Sequence, residues 1–151
     1  AAVFPMLARR FGSHGRQAAF SLSVRASGAA LVGGTVAAVM LGIVLDSVVV
    51  RWFAEYRAAL EFLPLLLAAA VFRVADFWTS FLMVIGLEAP LLRLTVLSGA
   101  ICSITWIAFV RPWSGGVIEL VDVAALALAL AATSYASAAL ASWRAVTRRA
   151  S

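Results

Sequence analysis

Residues 62–87, FLPLLLAAAVFRVADFWTSFLMVIGL, form an apolar run with two charges, Arg73 and Asp76, near its centre. About 20 mostly apolar residues suffice to cross a bilayer as a helix. A charge at a helix centre costs roughly 2.5–3.5 kcal/mol, and each Leu, Ile, Phe or Val offsets about 0.3–0.6 kcal/mol of that. The run holds fourteen such residues, so the two sums nearly cancel. A helix this marginal belongs among other helices rather than alone in lipid. On a continuous helix Arg73 and Asp76 lie on one side, and Ala69 and Ser80 share their stripe. Intramembrane charges face a cavity or the bundle interior. Arg73, Asp76 and Ser80 are therefore the candidate cavity-facing, substrate-binding residues. The competing reading is an ion pair that locks two helices together.

The rest of the chain has the same character. It is 64% hydrophobic, whereas soluble domains hold about 45–50% apolar residues. The expected fold class is all-α integral membrane. All twelve basic residues are arginine, and they flank the apolar runs as topology rules require. No basic stripe interleaved with aromatics is present, which excludes nucleic acid as a partner. Cys102 is the single cysteine, so an intrachain disulfide is impossible, and His14 is the single histidine. No His/Cys cluster has metal-ligand spacing and no glycine loop resembles a phosphate cradle. Neither a metal nor a cofactor is expected. The chain opens on Ala1, as a fragment or a processed product does.

In chain order, residues 1–25 combine an apolar start with Arg9, Arg10, Arg16 and Arg25 and no acid. A transit peptide has this composition; the alternative is the end of a preceding helix plus a basic cytoplasmic loop, with Gly12, Ser13 and Gly15 interrupting any helix and Ala19, Phe20 and Ser23 to Arg25 able to begin an interfacial one. Residues 26–143 hold four expected transmembrane helices, near 27–50, 61–86, 91–110 and 117–143. Gly34 and Ala38 form a small-xxx-small pair that admits a close helix. Asp46 is expected to pair with Arg51 at the interface. Trp52 and Tyr56 suit the headgroup level, and Pro64 suits the first turn of the second span. Trp106 and Trp113 cluster where the third span ends, and Gly115 and Gly116 supply the next turn. Residues 144–151 are expected to be a disordered basic tail on the cytoplasmic side.

Four spans place Arg9, Arg10, Arg16, Arg25, Arg93, Arg144, Arg148 and Arg149 on one side. Arg51, Arg57 and Arg111 fall on the other, with Arg73 inside the membrane. The richer side is cytoplasmic by the positive-inside rule, so both ends are expected in the cytoplasm. This alternation favours the cytoplasmic loop over the transit peptide.

The order of landmarks resembles the polysaccharide (O-antigen type) flippases of the multidrug/oligosaccharidyl-lipid/polysaccharide exporter superfamily. The motifs are Phe4-Pro5 before Arg9-Arg10, then Gly15-Arg16, then Phe53-Ala-Glu-Tyr56-Arg-Ala-Ala59 before a Leu-rich helix. Gly86-Leu-Glu and the Pro112-to-Trp143 segment follow in the same order. The chain departs from the pattern at 91–110, which lacks an asparagine, and at Glu119 and Asp122. The resemblance implies the C-terminal part of a larger transporter of the bacterial inner membrane, with its N-terminal helices and the membrane lipids as partners. It implies a lipid-linked oligosaccharide as substrate and no enzymatic activity. A multidrug exporter of the same superfamily is the nearest alternative, and the pairing of Asp76 with Arg73 argues mildly for an anionic substrate instead. A lipid-modifying membrane enzyme would draw on Glu119 and Asp122, with His14 on the opposite side of the membrane; a non-catalytic helical subunit would need none of them.

Overall fold

A computed structural model describes residues 3–110 and 120–147. Among these residues every regular element is helical. Helix α1 covers Val3–Trp52 and leads through a 3₁₀ segment, Ala54–Glu61, to α2 (Leu63–Ala75) and α3 (Phe77–Val84). Helix α4 (Glu88–Thr105) runs into a π-helical turn, Trp106–Val110, and α5 covers Leu120–Thr147. Four stretches are long and apolar enough to cross a membrane: Gly15–Trp52, Leu63–Val84, Glu88–Ala108 and Leu120–Thr147. The protein is an all-α membrane protein. The expected turn at Gly115–Gly116, and with it Arg111, Pro112, Trp113 and Glu119, lies outside the described residues, as does the tail beyond Thr147.

The first span differs most from expectation. Residues 8–25 are not a loop but helix, and α1 is broken only at Gly15. That residue has φ 78° and ψ −176°, a region open essentially to glycine alone. Gly12 and Ser13 stay helical, and the Ser13 hydroxyl donates to the Arg9 carbonyl at 2.9 Å. A helical glycine costs only about 1 kcal/mol relative to alanine, and packing outweighs that here. The arm before Gly15 folds against the bundle and buries Leu7 completely. Beyond Gly15 the helix has 38 residues, about 57 Å at 1.5 Å per residue. The hydrocarbon core is about 30 Å thick, so α1 extends well past it. The last span also outruns its expected end: residues 144–147 are helical rather than disordered.

Helix α1 packs on α2 and α3, while α5 packs on α2 and α4. The core gathers Leu7, Ala19, Trp78, Phe81, Leu82, Leu91 and Ala138, all at the end of the bundle where α1 starts and α3 finishes. Helix α3 stops there in a Schellman turn. The Leu87 N–H reaches the Leu82 carbonyl at 2.9 Å, and the Gly86 N–H reaches that of Met83 at 3.1 Å. Gly86 takes φ 75°, the left-handed conformation this cap requires. The small seam on α1 is filled from within the chain: a Cβ added at Gly34 would lie 3.4 Å from Cγ1 of Val71 on α2. Toward the far end α1 and α2 diverge around an apolar groove of about 510 Å³. Trp52 and Tyr56 are exposed at that end, as residues at headgroup level are. Asp46 and Arg51 are both exposed there and form no ion pair with each other. Five residues apart on one helix, they do not share a face.

Candidate functional site

The second span is not one helix. It breaks at Asp76, close to its midpoint, into α2 and α3. Asp76 has φ −77° and ψ 72°, the geometry of an inverse γ-turn. Its carboxylate accepts the Thr79 N–H at 3.2 Å and the Thr79 hydroxyl at 2.7 Å. This is an N-cap: the side chain satisfies an amide that the first turn of α3 leaves unpaired. An aspartate inside a continuous helix would find no such donor. The break supplies two, and this is the physical reason why the span divides here.

The expected ion pair is therefore absent. Asp76 is turned to Thr79, and Arg73 has no hydrogen-bond or ionic partner among the described residues. Arg73 lies in the last turn of α2, where a cation complements the negative end of the helix dipole. Its stripe on α2 includes Leu66, Ala70 and Val74, all exposed. This stripe faces away from α1 and α5. Ser80 is half-buried on α3, and its hydroxyl makes no hydrogen bond to a described residue. The structure thus divides the three candidate residues: Arg73 outward, Asp76 in the break, Ser80 one turn into α3.

A break in a membrane helix frees backbone groups that lipid cannot satisfy, so such backbone must be buried in protein or line a cavity. Here the freed Ala75 carbonyl accepts the Ser27 hydroxyl of α1 at 2.7 Å. The Ser27 oxygen lies 2.8 Å from the Tyr135 hydroxyl of α5. Serine has one hydroxyl proton, and it is given to Ala75, so Tyr135 donates to Ser27. The relay Tyr135 to Ser27 to Ala75 ties three helices to the break. Ala75 and Ser27 are fully buried. The Tyr135 ring contacts one aromatic on each side of the break, Phe72 at 5.6 Å and Trp78 at 6.5 Å between centroids. Aromatic pairs of this kind contribute about 0.5–1.5 kcal/mol beyond the area they bury.

Sequence reasoning missed Ser27, Thr79 and Tyr135 as parts of one assembly. The Asp76-x-x-Thr79 spacing was a usable signal, because an Asp N-cap bonds the residue three positions on. Nothing local marks Ser27 or Tyr135, whose partners are distant in the chain. Cys102 is half-buried, with its Sγ 3.3 Å from the Thr133 hydroxyl across α4 and α5. Asp122 lies in the first turn of α5, whereas Glu119 and the His14 side chain are outside the described residues. Among the described residues no group of His, Cys, Asp or Glu is placed to hold a metal.

The cap gives a direct prediction. Asp76→Ala lowers stability by about 1 kcal/mol, the usual cost of a lost N-cap, and Asp76→Asn retains most of it. Hydrogen exchange at the Thr79 amide is the check: fast exchange in Asp76→Ala and slow exchange in Asp76→Asn are expected. Equal protection in both variants would show that Asp76 does not cap α3.

No family model, curated protein or solved structure matches the chain.

Proposed function

We propose that this chain is the C-terminal part of a bacterial inner-membrane flippase that moves a lipid-linked oligosaccharide to the outer leaflet. The observation that carries the reading is Arg73. It stands at the midpoint of a broken membrane span, on the outward face of the four spans, without a partner among the described residues. An arginine facing lipid at that depth is expensive, so intramembrane charges face protein or a water-filled cavity. Discontinuous helices near the midplane line the binding sites of many transporters. A guanidinium grips two oxygens of a phosphate at once, which fits the diphosphate of a lipid-linked sugar. The resemblance in landmark order supports the same class of substrate. In this reading the remaining helices close the cavity opposite Arg73, and two lobes rock about it.

The testing experiment is translocation of fluorescent lipid-linked oligosaccharide in proteoliposomes of the intact transporter. Movement that depends on the protein is expected, and the 151-residue segment by itself is expected to move nothing. Translocation by the segment alone, or none by the intact protein, contradicts the proposal.

The reading places both ends in the cytoplasm. In a Cys102→Ser background, Ser13→Cys is expected to label from the cytoplasmic side and Ser114→Cys from the opposite side. Ser13 lies before the first span and Ser114 between the third and fourth. Labelling of both from one side would rule out this topology.

A further inference from the structure

We propose that the cavity at the arginine-rich end of the bundle binds the phosphate headgroup of an anionic phospholipid from the surrounding bilayer. The cavity measures about 450 Å³ and lies between α3, α4 and α5 against the start of the long arm of α1. Two of its lining residues are charged, Arg16 and Arg144, and none is acidic. Its remaining wall is mainly leucine, including Leu87, Leu94 and Leu140. Two arginines beside a leucine-rich wall match an anionic lipid, phosphate on the charge and chain on the apolar side chains.

The placement supports this occupant. The first and third spans begin at this end, and the second and fourth finish there. Arg16 and Arg144 therefore stand at one membrane surface, where basic pockets between transmembrane helices take phospholipid headgroups. Among the described residues the same end carries most of the arginines, Arg9, Arg16, Arg25, Arg93 and Arg144, with one acid, Glu88, while Asp46, Glu55, Glu61 and Asp122 lie toward the other. An anion is thus drawn to this end by the whole charge distribution as well as by the two residues in contact.

Both arginines keep N–H donors that bond to no described residue. Arg16 Nη1 donates to the Ala145 carbonyl of α5 at 3.1 Å. A guanidinium has five N–H donors, so this bond holds Arg16 in place with four remaining. Arg144 is exposed and bonds to no described residue. The Ser137 hydroxyl is committed to the Ser134 carbonyl at 3.0 Å, which leaves recognition to the two arginines. Bound lipid would bridge α1 and α5 through these two side chains. This site is separate from Arg73, and it stands whether or not Arg73 binds a substrate.

The experiment is native mass spectrometry of the full chain in detergent with defined lipids of identical acyl chains. Dioleoyl-phosphatidylglycerol is expected to be retained at least fivefold more than dioleoyl-phosphatidylcholine, because each arginine near the surface contributes about that factor. Arg144→Gln is expected to lower phosphatidylglycerol retention about fivefold. Arg51→Gln, at the opposite end of α1, is expected to leave it unchanged. Arg16→Lys retains the charge and tests the same site where Arg16→Gln would also release α5. Equal retention of the two lipids overturns the proposal, as does an unchanged Arg144→Gln protein. Displacement of the lipid by millimolar inorganic phosphate also overturns it, since the site would then take a free anion without using its leucine wall.

Discussion

Ser27→Ala is expected to destabilise the protein by about 2–3 kcal/mol, a large effect for the loss of one oxygen atom. Interhelical hydrogen bonds in membranes average about 0.6 kcal/mol and reach about 1.7 kcal/mol. Ser27 makes two, to the Ala75 carbonyl and the Tyr135 hydroxyl. Both belong at the upper end of that range. The Ala75 carbonyl is freed by the break and has no continuing helix to accept from, and a buried acceptor left empty costs about 1–3 kcal/mol. Ser27→Thr retains the hydroxyl and is expected to recover most of the loss. A double-mutant cycle with Tyr135→Phe is expected to be non-additive, because both changes cut the same relay. Unfolding in mixed micelles supplies the measurement. A loss below about 0.5 kcal/mol, or full additivity, would show that the relay does not hold the break.

Arg73→Lys is expected to lower translocation at least tenfold in the intact transporter while protein abundance stays unchanged. Lysine keeps the charge but loses the planar fork that meets two phosphate oxygens. A purely structural arginine would behave differently. It has no partner among the described residues whose loss could destabilise the fold, so a structural role predicts little change on either readout. The aspartate beside it does not confuse the test, because its carboxylate is held by Thr79. Full translocation by a well-expressed Arg73→Ala protein would remove Arg73 from the substrate path.

The four spans were legible because their signal is local. Apolar runs of about 20 residues with few charges leave a helix as the only simple solution in lipid. Helix ends were less legible for the same reason. Whether residues 8–25 continue as helix depends on Leu7 and Phe11 finding the bundle, and no local pattern contains that contact. Gly12 and Gly15 look alike in the sequence, yet of the two only Gly15 takes a positive φ and breaks the helix. At the candidate site the sequence exposed two charges and misjudged their relation. Three-residue spacing implies a shared face only while the helix continues. Asp76 ends that helix, and what its carboxylate binds is Thr79, three residues ahead instead of three behind. The Ser27 and Tyr135 contributions join residues 108 positions apart, and only folding brings them together.

What Arg73 faces can be measured by thiol labelling. Arg73→Cys in a Cys102→Ser background, in native membranes, can be treated with a charged, membrane-impermeant thiol reagent. Thiols react as thiolates, which form in water and not in lipid. A position on an aqueous cavity at mid-span is expected to react, and added lipid-linked oligosaccharide is expected to slow the reaction. Val74→Cys, beside it on the exposed stripe, shows whether the whole face is wet. A well-folded Arg73→Cys protein that stays unlabelled, or one that labels at a rate unaffected by substrate, would contradict a substrate-binding cavity at the broken span.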